Sequence, residues 1–555
     1  MALEQLKVRE IVKQAVSKNV DIPEFQRQFV WDSQQVKKLA ESLYRDYPVG
    51  SFLLWESSDY QEAKTAQGTQ ASRWIVDGQQ RTTALCLLLG EKPYWWSDNE
   101  SWNEALKNYD VMANILPEED DEEVEFSLAN PVRRADPRWI SVRQVLGTTR
   151  VEQLAVLAQQ IVERLGKPEA MGKVLSRLHR LWQIRERDIP IIKISHELED
   201  VAEIFARLNQ EGTRVKEADV VLALAAAKNP GWVRTDYLPF SRELEDKGWD
   251  LDSGVFIRTM TGIGLGRARL KEVPREFWDP NNLQTIWKTA KATIIEVLKR
   301  LAEYGITNAQ LLPSTNSLVP LFVFFHHWKD KPEFSFPKVL RWFLLANRDG
   351  RYSGAAITTL NEDLRTIKER TSFHEVLATL ESRLRIPDKV DEADFLKRYD
   401  RQGNYFLRLM LYLLLVRRGA RDWVDKTPIA YDTSGSSFTA GFQPQWHHIF
   451  PSSVLSKEHL GYEQIHRLAN MTVLNERSNV NKLAGKPPAT YIKRFQIRRD
   501  VLRAHLIPEP FASADCDSKS VEQCWNVKQY DEFCHRRAKV LAEEANSFLE
   551  QLRNS

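Results

Sequence analysis

The sequence predicts a helix-rich α+β protein in three parts, and three observations carry that expectation. Over residues 1–229, short strand-like runs alternate with helices and Gly turns. Over 230–400, Leu and Trp recur at helical spacing with almost no strand signal. Over 401–555, an apolar-aromatic strand ends in two histidines and is followed by a second short strand. A chain of 555 residues exceeds what one hydrophobic core accommodates, which agrees with three parts.

The first part opens with an amphipathic helix spaced over Leu6 to Ala15. Asp21-Ile22-Pro23 leads into Glu24-Phe25-Gln26-Arg27-Gln28-Phe29-Val30-Trp31, a cation and amides set among aromatics. A helix is predicted from Ser33, as N-cap, to Tyr44, with Val36, Leu39, Ala40 and Leu43 on one face. Tyr47-Pro48-Val49-Gly50 turns into a strand over Ser51 to Trp55, and Trp74-Ile75-Val76 forms the next. Residues 151–187 carry helical spacing, and Ile189 to Ser195 reads as a strand returning to this part. The acidic run Pro117 to Glu125 reads as a solvated loop.

The strand at Trp74 runs into Asp77-Gly78-Gln79-Gln80-Arg81-Thr82, and a helix continues to Leu89. A Gly turn at a helix start gathers free backbone amides at the positive end of the helix dipole, where a phosphate can sit. Arg81 adds a fork for phosphate oxygens. Gln79 or Gln80 can orient a water, and Asp77 can hold a metal or a ribose hydroxyl. A latch that merely pins the loop explains the same residues. No G-x-x-x-x-G-K-[ST] is present, which excludes a P-loop.

In the middle part, Phe325-His326-His327-Trp328 reads as a packed helical segment. Gly262-Ile263-Gly264-Leu265-Gly266 lacks dinucleotide-binding spacing. Gly350-Arg351-Tyr352-Ser353-Gly354 is either a helix-joining turn or a contact for nucleotide or DNA. Leu396 to Arg417 reads as one largely buried helix, and Thr433 to Phe442 as a flexible approach to the final motif.

That motif is Gln445-Trp446-His447-His448-Ile449-Phe450-Pro451, answered by Leu468-Ala469-Asn470-Met471-Thr472-Val473-Leu474 and Ser478-Asn479-Val480-Asn481-Lys482. Neighbours on a strand point to opposite faces, so His447 and His448 should do different jobs. One can ligate a metal while the other activates a water, and Asn479 supplies a further oxygen. These are the parts needed to cut a phosphodiester with one divalent cation.

This C-terminal pattern resembles the HNH, or ββα-metal, nucleases in the form found in GmrSD-type restriction proteins. The resemblance implies His448 as general base, His447 as metal ligand in place of the commoner acid, Asn470 as the residue fixing the active-site turn, and Asn479 on the metal. It covers roughly residues 440–495. The order I-P-x-F-Q-R-x-F-x-W, Y-P-x-G-x-x-L-L-W and V-D-G-Q-Q-R-T-T is similar to the ParB/sulfiredoxin-like N-terminal half of the same family. There the segment matching Asp77, Gly78, Gln79, Gln80, Arg81 and Thr82 is tied to binding and hydrolysing a nucleoside triphosphate. Phe205 to Gly212 matches a further signature, with helix capping the simpler role for Arg207 and Asn209.

Taken together, the resemblance implies an NTP-regulated endonuclease, with GTP the first candidate nucleotide and Mg²⁺ or Mn²⁺ the first candidate metals. Its implied target is double-stranded DNA, in particular modified phage DNA. An RNA-cleaving toxin, or a ParB-like switch with an inactive nuclease half, are the alternatives. Self-association into a homo-oligomer stays open.

Net charge is only +2, yet residues 401–510 hold 16 Lys and Arg against 8 Asp and Glu. That local excess suits a polyanion, and Lys482, Lys493, Arg494 and Arg498 are placed to meet backbone phosphates. Four cysteines, Cys86, Cys516, Cys524 and Cys534, are too few and too irregular for a disulfide scaffold, and no C-x-x-C pair supports a zinc site. The chain begins without a signal-peptide pattern, and its most apolar run, Leu409 to Val416, is far short of a membrane span. A reducing cytoplasm is the expected compartment, with no membrane partner.

Overall fold

In the computed structural model the described residues are all except 1, 24–28, 58–72, 97–100, 118–123, 197–199, 202–203, 205–216, 355, 430–444, 476–477, 479–482, 484 and 514–518. The chain divides into two compact units, Met1–Leu238 and Pro239–Ser555. It is a helix-rich α+β architecture with small sheets.

The first unit is built on strands β1 (Ala2–Lys7), β2 (Phe52–Glu56), β3 (Arg73–Asp77) and β7 (Asp188–Ile194), ordered β1-β7-β2-β3. β7 is antiparallel to β1 and parallel to β2, and β2 and β3 are antiparallel. The return of Ile189 to this sheet follows the sequence expectation. The N-terminus does not: helix α1 is Val8–Val16, and the preceding residues pair with β7 as a strand. Ladder hydrogen bonds to a distant segment override the local helical spacing there.

Helix α2 is Ser33–Tyr44, and Asp32 rather than Ser33 caps it, accepting from the Gln35 N–H at 2.8 Å. Its apolar face, Val36, Leu39, Ala40 and Leu43, is buried in the core with Val8, Ile11 and Val12 of α1. Helix α3 is Gln79–Leu89 and is buried almost all round. A second sheet, β5-β4-β6, is formed by β4 (Val111–Asn114), β5 (Glu125–Leu128) and β6 (Trp139–Ser141), and no sequence signal singled it out. Of the acidic run, 118–123 lie outside the described residues, while Glu125 opens β5.

The second unit packs helices Ser253–Leu265, Pro280–Glu303, Leu318–Trp328, Phe336–Arg348, Ile357–Glu369, Tyr405–Arg417 and Tyr530–Asn554. His326 and His327 lie in the Leu318–Trp328 helix, as their apolar neighbours require. Gly262 and Gly264 are packing residues: a Cβ there would stand 2.6 Å from Val323 and 2.5 Å from Phe277. The Gly350–Gly354 turn joins two helices, and its side chains converge on the fully buried Asp363. Arg351 donates to that carboxylate at 2.7 and 2.9 Å, and the Tyr352 hydroxyl donates at 2.6 Å.

The helix expected from Leu396 starts only at Tyr405. Before it, Arg398 pairs with Asp400, and the Asn404 amide donates to the Arg398 carbonyl at 2.8 Å, which folds the segment into turns. Strands β8 (Gln445–His448) and β9 (Met471–Leu474) form a two-stranded antiparallel sheet, His447 opposite Thr472 and His448 opposite Met471. No helix among the described residues is long and apolar enough to cross a membrane.

Candidate active site

The first candidate site lies where β3 meets α3. Gly78 has φ of +105°, and a Cβ there would come 2.4 Å from Phe52. Only glycine reconciles that backbone with the ring beside it. Gly78→Ala is expected to lower stability by about 2 kcal/mol or more. A urea-unfolding midpoint equal to wild type would contradict this.

Arg81 bridges the turn: Nη2 donates to Asp77 at 2.6 Å, Nη1 donates to the Val49 carbonyl at 2.7 Å, and the guanidinium lies 4.7 Å from the Phe52 ring centroid. Gln80 Oε1 accepts from the Val30 N–H at 2.8 Å, and Thr82 Oγ1 donates to the Gly78 carbonyl at 3.0 Å. Gln79 is buried. The six sequence-derived residues Asp77 to Thr82 are therefore gathered around one helix start, with Asp77 and Arg81 holding each other. Glu24 to Gln28, and the Phe205 to Gly212 signature, lie outside the described residues.

The second candidate site is organised by β8 and β9. Strand alternation separates the two histidines. His447 is buried, its ring 5.8 Å from Trp423 and 6.0 Å from Tyr491, while His448 is half-buried on the opposite face. There His448 Nε2 approaches His466 Nδ1 at 2.9 Å, and the Tyr399 ring packs edge-on at 5.7 Å. Burial, with His466 and His447 nearby, pushes the His448 pKa down to about 4, so the imidazole is neutral at pH 7.

Asn470 is fully buried and fastens the turn after β8. Its Oδ1 accepts from the Phe450 N–H at 2.9 Å, and Nδ2 donates to the carbonyls of Phe450 and Ile465 at 3.0 and 3.1 Å. The Ile449 N–H donates to the Asn470 carbonyl at 2.8 Å, and Tyr491 donates to the Ile449 carbonyl at 2.6 Å. A carboxamide, with a donor and an acceptor, serves both sides of a turn where a carboxylate would not.

Four residues that sequence reasoning passed over complete the framework. His466 touches the candidate base. The buried Asp422 accepts from the Asn475 N–H at 2.8 Å and the Ser478 hydroxyl at 2.7 Å, fixing the chain at both places. His505 contacts Thr472 Oγ1 at 2.6 Å and the Arg421 carbonyl at 2.8 Å. Arg537, fully buried, donates to the carbonyls of Ala469 and Met471 at 2.8 and 2.7 Å and of His505 at 3.0 Å. Burial pushes the Arg537 pKa down to about 9.

Asn479 and Lys482 lie outside the described residues, as does Cys516. Lys493 pairs with Glu522 at 2.7 Å and Arg498 with Asp500 at 3.0 Å, while Arg494 lies exposed beside Phe495. Exposed pairs of this kind are weak and open readily to a competing phosphate. Among the described residues no group of three or more His, Cys, Asp or Glu converges on a metal position. The metal set named from sequence therefore has one described donor, the His447 imidazole.

Residues 8–226 match the family model of the GmrSD restriction endonuclease N-terminal domain, which supports a GmrSD-type restriction family for the chain. An uncharacterized protein of Methanocaldococcus jannaschii is 22% identical over 548 residues, spanning 88% of this chain and 86% of that protein.

Proposed function

We propose that the protein is an NTP-regulated DNA endonuclease that restricts foreign DNA, cutting with an HNH-type site in the second unit. The observation that supports this most is the half-buried His448, at the end of a strand whose following turn is pinned by Asn470. In the cutting step His448 takes a proton from a water, which attacks phosphorus in line. His447, with Asn479, would hold a divalent ion such as Mg²⁺ or Mn²⁺. When bound, it would stabilise negative charge on the phosphoryl and leaving oxygens. Lys493, Arg494 and Arg498, with Lys482, would meet the DNA backbone, and double-stranded phage DNA carrying modified bases is the proposed target.

Free cutting would endanger the host genome, so cutting is gated by nucleotide. GTP is the first candidate, held at Asp77, Gly78, Gln79, Gln80, Arg81 and Thr82 by helix-start amides and the Arg81 fork. The test of the whole reading is cleavage of modified and unmodified plasmid DNA with Mg²⁺ or Mn²⁺, with and without GTP. An intact plasmid under every combination would overturn it. For the nucleotide site, Arg81→Ala is expected to cut phosphate release by about 10²-fold. Unchanged release would place hydrolysis at other residues.

A further inference from the structure

We infer that His466 is a positioning residue for the cutting step: it accepts a hydrogen bond from His448 Nε2 and thereby leaves His448 Nδ1 as the atom that takes the proton from water. This rests on the proposed nuclease reading and names a residue outside the motif that suggested it. His466 sits at the end of the short helix Tyr462–Ile465. Its Nδ1 stands 2.9 Å from His448 Nε2, close enough that one proton must lie between the two nitrogens. A neutral imidazole has one N–H and one lone pair, so the partner of one nitrogen decides the state of the other. If His466 donated, His448 would carry its proton on Nδ1 and could not serve as a base there. If His466 accepts, His448 Nδ1 holds a lone pair, and the imidazolium that forms during the step keeps its hydrogen bond through Nε2.

His466 is itself held from several sides. The Tyr462 ring packs on it with centroids 4.0 Å apart, and the Tyr399 ring lies 6.0 Å away. The Tyr399 N–H donates to the His466 carbonyl at 3.0 Å. Tyr462 is anchored in turn, its hydroxyl donating to Asp400 at 2.9 Å while Arg398 grips the same carboxylate. A ring fixed in this way presents one nitrogen to His448 in one direction. The arrangement has the logic of an orienting partner behind a catalytic histidine, with a neutral acceptor in place of a carboxylate.

Two variants separate this role from packing. His466→Leu keeps bulk and removes the acceptor, whereas Asn in His466→Asn sets an amide oxygen close to the Nδ1 position. Plasmid cleavage by His466→Leu should fall about 10–100-fold in kcat with KM little changed, and His466→Asn should recover most of it. Equal cleavage by wild type and His466→Leu, or equal loss in both variants with unchanged melting temperature, would overturn the inference. A second measurement does not depend on cutting. Imidazole ¹⁵N shifts in the full chain should show His448 protonated at Nε2, with that preference lost in His466→Leu. His448 protonated at Nδ1 would overturn the inference even in a protein that cuts DNA. A plasmid left intact by wild type, beside the expected ¹⁵N pattern, would sink the nuclease reading instead.

Discussion

His448→Ala is expected to reduce plasmid cleavage by about 10²–10⁴-fold, the cost of losing a general base. The side chain is suited to a clean test because its removal spares the framework. The strand pairing of β8 is backbone to Met471 through Leu474, and the following turn hangs on Asn470. His448 itself is only half-buried, and its ring contacts are with His466 and Tyr399. Melting behaviour should therefore stay near wild type while activity collapses. His447→Ala is a poorer probe, since that buried ring packs among Trp423 and Tyr491, and stability would fall along with any lost ligand. Cleavage by His448→Ala at the wild-type rate would remove His448 from the chemistry.

Arg537→Leu should destabilise the second unit by about 3–5 kcal/mol. The guanidinium is completely enclosed, and its N–H groups reach the carbonyls of Ala469, Met471, His505 and Leu506. Leucine fills part of the space but offers no donor, so those carbonyls lose a buried partner together. Arg537→Lys should recover little, because one ammonium cannot span acceptors set out for a planar fork. The measurement is urea unfolding followed by tryptophan emission, to which the buried Trp423 and Trp525 contribute. A midpoint shift equivalent to less than about 0.5 kcal/mol would show that the carbonyls are served in another way.

The residues read correctly from sequence are those whose environment is set locally. The helix start after Gly78 follows from a glycine between an apolar strand and a run of helix formers. The opposite facing of His447 and His448 follows from the period of a strand. The turn-fixing role of Asn470 comes from the resemblance to the HNH nucleases rather than from its local sequence, and in the structure its side chain makes three hydrogen bonds to Phe450 and Ile465. What stayed hidden depends on long-range contact. His466 is 18 residues from His448, Asp422 is 53 from Asn475, and Arg537 is 66 from Met471. An isolated His, Asp or Arg in a helix-rich stretch carries no local mark of burial. The helical spacing from Leu6 to Ala15 takes in Leu6 and Lys7, the end of β1, for a related reason, since their partners Ile189 and Asp188 in β7 lie far along the chain. In the stretch before Tyr405, helical periodicity runs on through the Arg398–Asp400 pair and the Gln402–Asn404 turn, where the backbone is not α-helical.

The grip of Arg537 on β9 also bears on the order in which the protein comes into being. A lone pair of short strands is marginal in water, and the arginine that braces this one is made 89 residues after His448. At ordinary translation speeds that is a delay of roughly 5–20 s. Domains fold as they emerge, N-terminal first, so the Asp77 to Thr82 turn can be set while the later histidines still lack their brace. An unfinished copy on the ribosome thus carries both histidines on a strand pair that still lacks the guanidinium holding the Ala469 and Met471 carbonyls.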